Sequence, residues 1–161
     1  MRIANEVLIP ELARLLSEGK EVRFTPSGVS MRPYIEGDKD SVILAPFMRA
    51  PRRGDIVLAH ACAAGGVKTY VLHRLVRIEN NQSPIAAHQS PIYILQGDGN
   101  LTGEETCARE DLIGRVIAVE TPDGRRKCLT RGFLWYRLKP VRKWLLKIYR
   151  HSILIWFYEN D

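Results

Sequence analysis

The feature that most constrains this chain is a succession of short runs rich in Val, Ile, Leu and Tyr, each closed off by turn residues. Ser41–Pro46, Asp55–Ala61, Tyr70–Glu79, Ile92–Gln96 and Leu112–Glu120 are the runs. Between them lie Pro51-Arg52-Arg53-Gly54, Gly65-Gly66, Asn80–Pro84 and Gly97–Gly103, built from residues that favour turns through backbone freedom, a fixed φ or side-chain-to-backbone hydrogen bonds. Short strands punctuated in this way predict a mainly β domain with a coiled, barrel-like sheet. Glu21–Thr25 reads as a further strand, and Thr121–Gly124 turns the chain into a last one, Arg126–Thr130. Helical spacing is confined to the two ends. Leu8, Leu12, Leu15 and Leu16 share a face, with Pro10 suited to a first turn and Gly19 to a stop, which predicts a helix over Pro10–Gly19. From Phe133 onward the spacing is helical again, broken or begun at Pro140. The organisation is therefore one domain over residues 1–130 and a helical tail over 131–161.

A chain of 161 residues suits one domain with a sizeable core, burying roughly 70% of its unfolded surface. Its net charge of +6 is unevenly spread. Ten of the 24 Lys and Arg fall between Arg125 and Tyr158, where no Asp or Glu occurs, so +10 sits there against a net −4 elsewhere. That distribution excludes a disordered polyelectrolyte and a uniformly basic nucleic-acid binder. The uncharged stretches Ile56–Val67 and His151–Tyr158 are too short for a membrane-spanning helix. Pro10 and Glu11 interrupt any secretory leader, and three cysteines at unrelated spacings support neither a disulfide framework nor a metal site. A reducing cytoplasm is the expected location, with no metal and no cofactor.

The sharpest local pattern is Thr25-Pro26-Ser27-Gly28-Val29-Ser30-Met31-Arg32-Pro33, followed by Gly37-Asp38. Gly28 lets the backbone approach a bound carbonyl, Met31 supplies an apolar pin and Pro33 stiffens the exit. Such a loop holds the Ser30 hydroxyl exposed, with the Ser30 N–H and the Gly28 region free to stabilise an oxyanion. Met31 and Pro33 would border the substrate. The alternative is an ordinary serine in a tight turn. His73 sits mid-strand, as a general base if a partner serves it and otherwise as a satisfied core histidine. Lys68 is the competing base, but an offset of five puts it on the opposite face of an unbulged strand. His60 is a third candidate. Gln96-Gly97-Asp98-Gly99-Asn100, with Glu104-Glu105 just beyond, is either a surface turn or the source of a carboxylate that orients the imidazole. Gly54-Asp55-Ile56-Val57 reads as a structural turn into a strand.

In their joint order these blocks, over roughly Val22 to Val119, resemble the clan of the signal peptidases and the self-cleaving repressors of the LexA type. The resemblance implies a serine endopeptidase with Ser30 as nucleophile, acting on an extended segment of a polypeptide substrate. The base position is Lys-Arg in most bacterial members and His-Arg in the endoplasmic-reticulum and archaeal type, so His73-Arg74 is similar to the Ser-His branch. That branch has acidic residues shortly after its Gly-Asp-Asn block. The nearest here are Glu104 and Glu105, with Gly99 inserted in the block, and the candidates for the third residue rank Glu104, Asp98, Glu105. Some relatives place a Ser side chain two residues before the nucleophile; Gly28 stands there, leaving only a backbone donor. Two departures accompany the resemblance. No spanning helix is evident, and too few residues precede Ser30 for a DNA-binding domain. The Ala64-Gly65 pair also lies after Ser30, so self-cleavage at the family's site is unsupported. The rival from another class is a catalytically silent peptide- or membrane-binding module on the same fold.

The tail carries all three tryptophans, Trp135, Trp144 and Trp156, interleaved with Arg137, Lys139, Arg142, Lys143, Lys147 and Arg150. Val141, Trp144, Leu145 and Ile148 share a face at helical spacing, the pattern of an interfacial amphipathic helix. Two readings stand side by side: residues 133–158 contact an anionic membrane surface peripherally, or they pack their aromatics on the β domain. Nucleic acid is disfavoured, because the aromatics are too clustered for a stacking platform.

Overall fold

The computed structural model describes residues 5–79 and 90–127, together with 138, 141, 144, 145, 147 and 148. One helix, α1 (Asn5–Ser17), precedes eight strands: β1 (Val22–Phe24), β2 (Ser41–Ala45), β3 (Ile56–Cys62), β4 (Lys68–Glu79), β5 (Ile92–Gln96), β6 (Glu105–Cys107), β7 (Leu112–Glu120) and β8 (Arg126–Lys127). Strands β3, β4, β5 and β6 pair antiparallel in sequence order, and the pairing of Cys62 with Thr106 closes β6 back onto β3. The result is a closed four-stranded barrel. β7 pairs with β3 outside that closure and continues the sheet through β2 to β1, with β8 on its other side.

The alternation of side chains along β3 explains why one sheet serves two cores. Val57, Ala59 and Ala61 face the barrel lumen with Leu75, Tyr93, Leu95 and Cys107, and the small alanines leave room for the large residues opposite. Ile56 and Leu58 face the other way. They pack with Ile9, Leu12 and Leu16 of α1, with Met31 and Ile35 of the β1–β2 loop, and with Val42, Leu44, Val116 and Val119. Each fully buried leucine among these contributes about 1.5–3 kcal/mol over its exposed state.

Most expected strands occur within a residue or two of their expected ends. The helix differs: it begins at Asn5, so Pro10 lies inside it, where it removes one hydrogen bond instead of opening the first turn. β6 is an addition to the expected strands. Residues 128–130, the end of the last expected strand, lie outside the described residues, and so does most of the expected C-terminal helix. Among the described residues, no helix is long and apolar enough to cross a membrane.

Candidate active site

The loop from Thr25 to Asp40 carries Ser30 and is held from beneath. Met31 and Ile35, 4% and 1% exposed, pin it into the core shared with α1. A helical turn follows the serine: the amides of Tyr34 and Ile35 both donate to the Met31 carbonyl, at 3.0 and 2.9 Å. The N-terminal arm of the loop folds back on its exit, where a Cβ on Gly37 would stand 1.9 Å from the Gly28 carbonyl oxygen. Only glycine permits that approach. The Arg32–Pro33 peptide is cis, and Pro33 is half-buried.

The Gly97–Asn100 turn supports the same loop from the side. The Gly99 amide donates to the Ser30 carbonyl at 2.7 Å, and a Cβ on Gly97 would stand 2.4 Å from that oxygen. Gly99, which interrupts the Gly-Asp-Asn pattern in sequence, is thus the residue whose N–H holds the serine backbone. Asp98 does not reach the imidazole. Its carboxylate takes a bidentate pair from Arg74, Nε to Oδ1 at 2.9 Å and Nη2 to Oδ2 at 2.6 Å, with both side chains 1% exposed. The remaining arm of the guanidinium, Nη1, donates to the Gly54 carbonyl at 2.8 Å. Gly54-Asp55 is the structural turn expected of it, with Asp55 clasped by Arg49 and the Arg52 amide.

His73 is buried on β4, and its Nδ1 lies 2.9 Å from Glu105 Oε2 on β6. A carboxylate only accepts, so Nδ1 is the nitrogen that donates to Glu105, which leaves Nε2 as the ring nitrogen not engaged by it. Glu104, one residue earlier, points elsewhere and pairs with Arg77 at 3.2 Å. Lys68 pairs with Asp111, at 3.0 and 3.1 Å from the two carboxylate oxygens. That hydrogen bond pushes the Lys68 pKa up. Burial opposes the charge on Asp111, yet Lys68 and the Ala108 amide hold its pKa below the ordinary carboxylate range. The pairing of β4 with β3 is regular from Lys68 to Arg74, which preserves the opposite facing of Lys68 and His73.

Ser30 and His73 line one cleft of about 130 Å³, with Pro26, Ser27, Gly28, Met31, Ile35, Gly37 and residues 70–72 of β4. They share it without a direct hydrogen bond among the described residues, and the Ser30 N–H likewise meets no acceptor there. Tyr70, on one wall, is backed by His60 in a stack with ring centroids 4.6 Å apart. Among the described residues, Val71 and Leu72 belong to the stretch of β4 that pairs with β3 alone, since β5 pairs only from Arg74 onward. The cleft therefore runs beside a strand edge that no described strand occupies. No cluster of metal-ligating side chains occurs among the described residues. The chain matches no family model, no curated protein and no solved structure.

Proposed function

We propose that the protein is a serine endopeptidase of the signal-peptidase-like type, cleaving an extended segment of a polypeptide. One observation carries the reading: Ser30 and His73, from segments far apart in sequence, line a single cleft, and a carboxylate already holds the other nitrogen of the imidazole. The roles follow from that arrangement. An extended peptide adds to the edge of β4 beside the cleft by main-chain hydrogen bonds. Ser30 Oγ attacks the scissile carbonyl carbon as His73 Nε2 takes its proton, and the Ser30 N–H receives the oxyanion, with Gly28 at the cleft rim. The C–N bond then breaks as His73 returns the proton to the leaving amine, and water releases the acyl group by the same steps. Glu105 orients the imidazole and stabilises its protonated form.

The test is cleavage of internally quenched peptide mixtures by the wild type and by Ser30→Ala. Turnover is expected to fall to background in the variant, with stability changed by no more than about 0.5 kcal/mol, because a half-buried hydroxyl outside the packed core contributes little. Undiminished cleavage by the alanine variant excludes Ser30. A second reading, a silent peptide-binding module, draws on the missing hydrogen bond between Ser30 and His73, although catalytic pairs often tighten only when substrate is bound. It predicts that both forms bind peptide equally and neither cleaves.

A further inference from the structure

We infer that Lys127 is a positioning residue for the serine loop: its ammonium ties the strand at the root of the basic tail to the turn that presents Ser30. The inference rests on the reading of Ser30 as the reactive residue. Three consecutive cations end the described body of the chain, and they behave differently. The side chains of Arg125 and Arg126 are 82% and 70% exposed, whereas that of Lys127 is 27% exposed. Alternation along β8 turns Lys127 to the face opposite Arg126. What it meets there lies across the sheet. Lys127 Nζ is 2.6 Å from Asp40 Oδ2 and donates to the Tyr34 carbonyl at 3.0 Å.

Asp40 is the buried charge around which the second half of the loop is built. Its side chain is 3% exposed, Oδ2 also accepts from the Glu36 amide at 2.7 Å, and the Asp40 amide donates back to the Glu36 carbonyl at 2.9 Å. An acid in such a place needs a counter-charge, and Lys127 provides it from 87 residues away. Tyr34, whose carbonyl the same ammonium holds, sets its ring 5.3 Å from the Arg74 guanidinium, next in sequence to His73. The serine turn is thus fastened at two points, by Gly99 at Ser30 itself and by Lys127 at the Tyr34–Asp40 end.

The test uses the full chain carrying Lys127→Met or Lys127→Arg, with amide hydrogen exchange read residue by residue and kcat and KM read on the quenched peptides. In the methionine variant, the amides of Arg32, Tyr34, Ile35 and Glu36 should exchange about tenfold faster, the weight of one charge-assisted hydrogen bond. Amides of β3 and of the β4 centre should not change. The same variant should lose about tenfold in kcat at unchanged KM, because the serine is displaced without altering the strand edge that binds peptide. Lys127→Arg, which keeps the charge, should recover most of both effects. Asp40→Asn removes the charge that Lys127 answers while keeping an acceptor for Glu36, and should reproduce the loop pattern even if the methionine variant fails to fold. Uniform acceleration over loop and barrel, or none, overturns the inference. If the loop responds as stated but the wild type cleaves no peptide, the fastening stands and the peptidase reading is what fails.

Discussion

Asp98, Glu104 and Glu105 stand close together in sequence, and their surroundings give them different work. Successive residues on a strand face opposite sides, so His73 and Arg74 serve different neighbours. Arg74 faces Asp98 in a dry pair, while His73 shares the lumen side with Leu75 and meets Glu105. The register settles Glu105 over Glu104: Glu105 is directly opposite Leu95, a lumen residue, so its neighbour faces outward. That parity is not available from sequence spacing, because Glu105-Thr106-Cys107 is too short and too polar to read as a strand. The amide variants should separate accordingly. Glu105→Gln is expected to lower kcat about a hundredfold or more, the range of a lost general-base partner, with little change in melting. Asp98→Asn should instead cost about 3 kcal/mol by leaving Arg74 uncompensated in a buried place, a fall in Tm of roughly 10 °C for a chain of this length. Glu104→Gln should do neither. Parallel rates and melts of the three decide the assignment, and near-wild-type turnover in Glu105→Gln would remove it from the site.

At the scale of elements, what the sequence displays well is burial, and what it displays poorly is closure. β3, β5 and β7 are legible because both of their faces are apolar or nearly so, and the β1–β2 loop because glycine, proline and a buried methionine fall at set intervals. β6 exists because two better strands need a partner: β5 binds it on one edge and Cys62 of β3 on the other. The same closure places Cys107 in the lumen. Burial there pushes its thiol pKa up to about 12 from 9.0. A folded pKa above the unfolded one adds stability that is complete below about pH 9 and lost as pH climbs toward 12, since the unfolded chain gives up the proton first. Two outcomes follow. In a Cys62→Ser, Cys128→Ser chain, Cys107 should resist a thiol reagent at about pH 8 until denaturant unfolds the barrel. The alkaline loss of stability should also be shallower in Cys107→Ala. Rapid labelling of the native chain would mean that β6 opens readily and the barrel is not closed in solution.

On the scale of the whole molecule, charge is separated: Arg125–Tyr158 carries +10 against a net −4 elsewhere, and Lys127 lies near the start of that segment. No Asp or Glu occurs between Arg125 and Tyr158 in sequence, and Leu138, Val141 and Trp144 are 45%, 46% and 66% exposed. Cations beside exposed tryptophan and aliphatic side chains suit the headgroup boundary of an anionic bilayer, at about 1 kcal/mol per Lys or Arg near the surface. The body, being acidic, would be repelled, so contact would fall to the tail. Such binding is electrostatic first. It should hold near about 0.1 M salt, where the screening length is about 10 Å, and fail near about 1 M, where it is about 3 Å. The competing arrangement packs the same aromatics on the β domain, and then the tail's loss should uncover apolar core and lower Tm by several degrees. Co-sedimentation with phosphatidylserine-containing and purely zwitterionic vesicles, at both salt levels, distinguishes the two when run beside melts of the full chain and of a chain ending at Gly132. Membrane contact predicts pelleting with anionic vesicles at low salt only, abolished by the truncation without loss of Tm. If the full chain ignores anionic vesicles and the shortened one melts early, the tail belongs to the core and the charge separation serves the fold instead of a surface.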